Sequence, residues 1–423
     1  MKACILSIGD ELMSGNTVDT NAAYLSRQLL TAGIEPVVRE TIGDNRAGVA
    51  AALLRSAERA DVVLVTGGLG PTADDVTRHA LADALGTELE MNEQCLAELE
   101  EFFRCRQRAM VEENRVQAMI PRGAWPLPNP IGTAPGLGAK IGGVPVFIMP
   151  GVPREMVEMF QTAVRPALPQ SPRAIVQIAI HTFGIGESNV FAIIRDLMTR
   201  EGDLTVGTTI AEGLVTVWVT SRAATEEDAQ RQANAVTQPL RERLGAIVIG
   251  EGNVTMASVI GDRLRERKQT LATAESCTGG LIGEMITQVA GSSGYYLGGV
   301  VAYDNEIKHR LLDVSPALVA THGAVSEPVA AAMGEGVRRK TGADWALAVT
   351  GIAGPSGGTL EKPVGLVYLA LAGAGGTKVE KTIFPGDRQS IRHRVAVAAL
   401  NMLRLAITEA LTATSRPGDG RRN

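Results

Sequence analysis

Cysteine is scarce in this 423-residue chain. The four present, Cys4, Cys95, Cys105 and Cys277, form no CxxC pair and show no metal-ligand spacing. That pattern excludes a disulfide framework and a cysteine zinc site, and free thiols in a reducing cytoplasm are the expectation. Five histidines are scattered with no HxxxH or HExxH pair, so a histidine-based zinc site is excluded as well. Positive charge is not in surplus. Lysine and arginine number 41 against 46 acidic residues, a formal net charge of −5, which gives no electrostatic footprint for nucleic acid. No apolar run is long enough to span a bilayer. The first such run, Ala3 to Ile8, leads into Asp10 and Glu11 and reads as a strand rather than a signal peptide. The chain has no GxGxxG, and no GK[ST] follows its glycine-rich loops, so neither a Rossmann dinucleotide site nor a Walker A loop is supported.

What is present describes a soluble, multidomain globular protein with 45% hydrophobic and 21% charged residues. Residues 1–168 alternate strands (Lys2–Ile8, Glu35–Thr41, Asp61–Thr66, Pro145–Met149) with helices (Thr20–Thr31, Arg46–Ala60, Asp75–Leu85, Glu93–Met110). Such alternation predicts a parallel sheet with helices on both faces. The stretch from Pro166 to Pro172 breaks regular structure and serves as a linker. Residues 173–250 read as a small α+β module, with strands Ala174–Thr182 and Leu214–Thr220 and helices Val190–Thr199 and Glu226–Leu244. A third unit, 254–412, again alternates strand and helix in an α/β/α arrangement, and 413–423 is a polar tail expected to be disordered.

Chemistry concentrates in two places. In the third unit, Ser276, Cys277, Thr278, Gly279 and Gly280 lie between a Thr270–Ala274 strand and a helical pattern beginning at Leu281. A hydroxyl and a thiol stand there beside free N–H groups able to hold a phosphate or an oxyanion. The same residues can simply cap a helix and make a turn. Lys308 opens a helical pattern just after the apolar run Gly298–Tyr303, and a buried lysine can take a serine's proton. Tyr303 can relay that proton or orient the pair. Thr350, Gly351 and Gly354 form a further strand-end turn that allows close backbone approach, and Lys362 follows at its mouth. Arg388 and Arg392, at i and i+4 on the last helix, either hold a nucleotide phosphate or form a solvated face.

The N-terminal unit carries Asp10 and Glu11 after its first strand, and Gly68, Gly70, Thr72, Asp74 and Asp75 after its third. Both loops emerge at carboxyl ends of parallel strands, where open α/β sheets bind ligands. Glycines and a helix start suit a phosphate. Carboxylates suit it only with a divalent cation between them, so the pattern suggests metal-assisted pyrophosphate chemistry.

The motifs AESCTGG, YDNEIKHRLL, GAVSEPV, TGIAGPSGG, KPVG and FPGDRQSIR occur in that order. Together they resemble the C-terminal domain of the competence/damage-inducible protein A (CinA) family, a domain similar to the stand-alone bacterial nicotinamide mononucleotide (NMN) deamidases. GDELMSG, GGLGPTADD, ENRVQAMIP, GTAPG and MPGVPREM resemble the molybdopterin-binding (MoCF-like) domain at the N-terminus of the same family. The middle module looks like that family's KH-type linker, with Gly184–Ser188 a structural turn lacking the basic flanks of a nucleic-acid clamp.

The resemblance implies a serine/lysine amidohydrolase that converts NMN to nicotinate mononucleotide and ammonia without metal. Ser276, rather than its rival Cys277, would be the nucleophile, Lys308 the base and Tyr303 the relay. It further implies a metal-dependent ADP-ribose pyrophosphatase in the N-terminal domain using Mg, Mn or Co. Asp10, Glu11, Asp74 and Asp75 would serve as metal or acid/base groups, and Gly68, Gly70, Thr72, Gly132 and Thr133 as phosphate contacts. Glu155 would either join that site or open a helix. A cytoplasmic homodimer acting on small nucleotides is the expected form. The rival classes are a molybdopterin-related binding or ligase protein and a non-catalytic competence or DNA-damage interaction protein.

Overall fold

The computed structural model describes residues 1–211 and 213–414, with side chains through residue 408. The expected disordered tail falls mainly outside those residues. By internal contacts the chain divides into two compact units, Met1–Gln177 with Thr220–Ala233, and Ile178–Val219 with Asn234–Asn423.

The first unit is built on a six-stranded sheet in the order Glu35–Ile42, Lys2–Ile8, Val62–Thr66, Val144–Met149, Gly136–Ile141, Trp125–Leu127. The first four are parallel, as the alternation predicts. The last two run antiparallel, so the purely parallel sheet is corrected to a mixed one. Those two strands are short and glycine- or proline-containing, too weak in β signal to be read from sequence. Val62–Thr66 is buried along its whole length, the mark of a strand covered on both faces. Alternate residues accordingly feed separate cores: Cys4, Leu6, Val63 and Val65 face one helical layer, and Ala3, Ile5, Val62 and Leu64 the other. Helices Thr20–Thr31, Arg46–Ala57 and Glu93–Cys105 begin on Asp19, Asn45 and Asn92, whose side chains accept backbone N–H groups. The last of these ends five residues before the expected Met110, and Gln107 just beyond it adopts φ 53°.

A four-stranded sheet follows, in the order Leu204–Ala211, Leu214–Ala223, Ala174–Thr182, Val248–Glu251, accompanied by helix Glu226–Leu244. Its Leu204–Ala211 strand is absent from the sequence reading, and the expected Val190–Thr199 helix instead spans Glu187–Ile194.

The last sheet has the order Tyr296–Val301, Leu271–Glu275, Trp345–Gly351, Leu366–Gly373, Gly376–Ile383. Its first three strands are parallel, and an antiparallel hairpin completes it. Ala272, Ala274, Ala346, Ala348, Ala370 and Ala372 all point to one face. Their small side chains let helix Glu327–Thr341 approach closely, and a Cβ built on its Gly334 would already touch Ala348 at 3.5 Å. The opposite face, with Leu271, Leu347 and Val349, lies under helices Met256–Arg267 and Arg388–Thr414. Among the described residues no helix is long and apolar enough to cross a membrane.

Candidate functional site

Ser276 follows directly on strand Leu271–Glu275, the middle one of the three parallel strands, and its N–H donates to Val349 O at 3.0 Å. The turn then passes through Gly279 (φ 62°) and Gly280 (φ 96°) into helix Leu281–Thr287. Left-handed backbone at both positions explains the paired glycines. Ser276 is 8% exposed and its hydroxyl makes no hydrogen bond within the described protein.

The free helix start expected here is corrected. Glu275, 1% exposed, turns its carboxylate onto it, accepting from Gly280 N (2.9 Å), Ile282 N (3.1 Å) and Gly283 N (2.9 Å). Gly279 N donates to Ser276 O. The helix N-terminus is therefore filled by an internal anion. Among the described residues, the Cys277 and Thr278 amides of the turn donate to neither a backbone carbonyl nor another residue's side chain. Glu275 is a functional residue the sequence reading missed, although a carboxylate inside a buried strand was a visible signal.

Cys277 is buried, and its thiol is pushed up to about 12, chiefly by burial. Glu275 adds to the rise, while Arg392 and Arg388 oppose it. A thiol held protonated is a poor nucleophile. Lys308 is 1% exposed and lies on helix Asn305–Leu312. Burial lowers its pKa, with Asp304 and Cys277 opposing. Its Nζ donates to Tyr303 O at 3.1 Å. The carbonyl of Tyr303, not the phenol, thus orients the lysine. The 59%-exposed tyrosine ring points outward, and its hydroxyl accepts from Arg388 Nη2 at 2.9 Å.

Arg388 also donates to Gly354 O at 2.7 Å, and Arg392 grips Thr278 O through Nη2 at 2.7 Å. The two arginines are therefore tied to the loops on either side of Ser276, Arg392 half-buried and Arg388 still exposed to solvent. Thr350 is buried, with its hydroxyl on Ala324 O, and a Cβ on Gly351 would meet Val367 at 2.6 Å. Lys362 donates to His322 O and Val325 O, fastening its loop down.

In the first unit, a cavity of about 360 Å³ opens at the carboxyl ends of the parallel strands. Gly67 and Gly68 have positive φ, and a Cβ on either would lie 2.1 Å from Ile8 O or Thr77 Oγ1. The Gly68 and Leu69 amides have no backbone acceptor and stand beside the cavity. Gly70 and Thr72, expected as phosphate contacts, instead donate their N–H groups to Asp75 at 2.7 and 2.9 Å. Asp75 is thereby a brace inside the loop. Gly132 donates to Asn129 Oδ1, and Thr133 accepts from Gln117 Nε2.

Arg78 is almost fully buried beneath the loop, donating to Leu69 O (2.8 Å) and Gly70 O (3.0 Å). Burial lowers its pKa to about 10, against the pull of Asp75. Neither Arg78 nor Asp44 was singled out in the sequence. Asp44 accepts from Asp10 N and donates its own N–H to Asp10 Oδ1. Its carboxyl is raised by burial first and then by Asp10, Glu11 and Asp74, with Asp10's N–H opposing. Gly43-Asp44 follows its strand as Gly9-Asp10 follows the first, a parallel that could have revealed it.

The residues fit a divalent cation in charge. Glu11, Asp44, Asp74 and Glu155 line the cavity, and their mutual repulsion is what a cation relieves. Among the described residues no three Asp, Glu, His or Cys side chains form a metal cage.

Three family models match successive stretches of the chain. The probable molybdopterin binding domain matches residues 4–170, the damage-inducible protein CinA KH domain 178–250, and the CinA C-terminal domain 253–407. A putative competence-damage inducible protein from Symbiobacterium thermophilum is 44% identical over 418 residues, covering 96% of this chain and 98% of its own. A CinA-like protein from a Geobacter species (strain M21) is 44% identical over 421 residues, covering 99% and 100%. A solved structure of the competence/damage inducible protein CihA from Agrobacterium tumefaciens is 40% identical, covering 36% of this chain and 93% of that one with a TM-score of 0.35. The molecule is a multidomain α/β protein joining MoCF-like, KH-type and CinA C-terminal domains. It belongs to the CinA family.

Proposed function

We propose that the C-terminal domain hydrolyses the carboxamide of NMN. The observation that carries this reading is that two neighbouring parallel strands end side by side, one in Ser276 and the other in the turn to helix Asn305–Leu312, whose Lys308 has its pKa lowered by burial, with a thiol raised out of use beside them. Neutral Lys308 takes the Ser276 proton as Oγ attacks the amide carbon. The oxyanion lies by the Cys277 and Thr278 amides, which lack other backbone acceptors. Collapse breaks the C–N bond, and the proton returns from Lys308 to the departing ammonia. Water then cleaves the ester, giving its hydroxyl to the acyl carbon and its proton to Lys308, which passes it to Ser276 Oγ as the C–Oγ bond breaks. Arg388 and Arg392 favour an anionic substrate such as a nucleotide.

The test is ammonia and nicotinate mononucleotide formation by the purified chain. Ser276→Ala abolishes it, while Cys277→Ala retains substantial activity. The reverse pattern would make this a cysteine amidase.

For the N-terminal domain we propose pyrophosphate cleavage of ADP-ribose. A divalent cation on Glu11, Asp44 or Asp74 would supply charge neutralisation and an activated water. The Gly68 and Leu69 amides hold a phosphate oxygen, and Arg78 keeps their loop in shape. Both activities belong to cytoplasmic recycling of pyridine nucleotides, carried out by a homodimer.

A further inference from the structure

Strand Trp345–Gly351 runs parallel to Leu271–Glu275, and Leu366–Gly373 returns antiparallel to it. The chain between them, residues 352–365, therefore lies at the carboxyl end of the parallel strands. That is the end carrying Ser276 and the turn to Lys308, and the end where open α/β sheets bind ligands. Two latches hold this loop. Arg388 donates to Gly354 O at 2.7 Å and to the Tyr303 hydroxyl at 2.9 Å. Further along, Lys362 Nζ donates to His322 O at 2.9 Å and Val325 O at 2.8 Å.

The span between the latches is barely tied down. Residues 355–361 are all exposed. Among the described residues they hydrogen-bond to nothing beyond Lys362, which exchanges bonds with Thr359. Gly354 and Gly357 adopt left-handed backbone, at φ 73° and 89°. Few contacts, with glycines to absorb a change of direction, mark a segment that opens and closes easily.

Leu360 stands on this span. At 105% it is the most exposed large apolar side chain among the described residues. A single exposed leucine is ordinary on a rigid surface. This one is on a movable loop at the end of the sheet where the reaction is placed. The groups gathered there are polar: Ser276, Lys308 and the Cys277 and Thr278 amides. They suit a carboxamide, whereas the flat face of a ring needs an apolar partner.

We propose that residues 355–361 form a lid, and that Leu360 closes on the pyridine ring of the bound nucleotide. The ring's identity rests on the deamidase reading. Closure buries the leucine against the ring and makes Leu360 a determinant of which carboxamides are accepted.

Leu360→Trp in the full chain reports the lid directly. Its emission, after subtraction of the wild-type chain with Trp125, Trp218 and Trp345, should be that of an exposed indole. Nicotinate mononucleotide should shift it to the blue and quench it, and ribose 5-phosphate, which lacks the ring, should leave it unmoved. Leu360→Asp should raise KM for NMN about tenfold, the scale of burying one leucine. Turnover should stay within about twofold, because the contact forms with substrate and transition state alike. Leu360→Met should restore the KM. Inhibition by ribose 5-phosphate should be equal in all variants, whereas a general loop defect would weaken it.

An emission unmoved at every nicotinate mononucleotide concentration, in a variant that hydrolyses NMN, overturns the lid. So does an unchanged KM in Leu360→Asp. An emission already blue without ligand, and returning to the exposed position on dilution, makes Leu360 a contact between copies of this chain and also overturns it. If the wild-type chain releases no ammonia from NMN, the deamidase reading itself fails. The lid then stands if the Leu360→Trp emission still responds to nicotinate mononucleotide and not to ribose 5-phosphate, and falls otherwise.

Discussion

At the scale of single residues, the C-terminal chemistry turns on which groups can lose a proton. Burial disfavours the charged form of Lys308, so its neutral, basic form appears at lower pH than for an exposed lysine. Deamidation should therefore rise with pH through a single ionisation below the ordinary lysine range and then level off. Lys308→Arg keeps the charge but cannot give up its proton, and should be nearly inactive in a single-turnover assay. The shift also bears on stability. The folded pKa lies below the unfolded one, so the fold gains stability as pH rises through the folded pKa toward the unfolded one. Cys277 shifts the opposite way for the same reason, since burial penalises its thiolate. Alkylation by iodoacetamide near pH 8 should be slow at Cys277 and fast at the exposed Cys105.

At the scale of elements, both sites are turns held in shape by a buried charge. Glu275 fastens the start of helix Leu281–Thr287 through three N–H groups. Glu275→Ala strands those donors, each costing roughly 1–3 kcal/mol when buried. Denaturant melts should show a loss of that order, with NMN turnover falling alongside. Glu275→Gln keeps an acceptor but turns an amide toward other donors, and should recover only part of both. Arg78 plays the corresponding part beneath the glycine loop of the first unit, on Leu69 O and Gly70 O. Arg78→Met should weaken ADP-ribose cleavage and leave NMN deamidation intact, because it touches one loop of one domain.

At the scale of the whole molecule, the two proposed activities differ in what they need. A serine and a lysine suffice for the amide, whereas the carboxylates of the first unit repel a diphosphate until a cation is added. EDTA should abolish ADP-ribose cleavage, and Mg, Mn or Co should restore it, with ammonia release from NMN unaffected throughout. Asp44→Asn should remove the first activity and spare the second. Chelation that stops both reactions would contradict the division into one metal-dependent and one metal-free site. ADP-ribose left intact under every metal condition would make the first unit a binding module.

The sequence alone determined the layered α/β character of both large units, because apolar runs alternating with helical spacing have few other solutions. It determined the parallel strands Lys2–Ile8, Val62–Thr66 and Leu271–Glu275 to within a residue or so, and the turns after them, because glycine at left-handed positions leaves a local signature. It left out the antiparallel strands that finish each sheet, such as Gly136–Ile141 and Leu366–Gly373, which are defined by distant partners. Only the tertiary structure decided what each polar group faces. Helix starts that looked open to a ligand are filled by Glu275 and braced by Asp75. Asp44 joins Asp10 across 34 residues, and Arg388 reaches Tyr303 across 85. Hydrogen bonds and charge interactions act over a few ångströms of space. Their partners are set by how the strands are ordered in the sheet, and spacing along the chain carries no record of it.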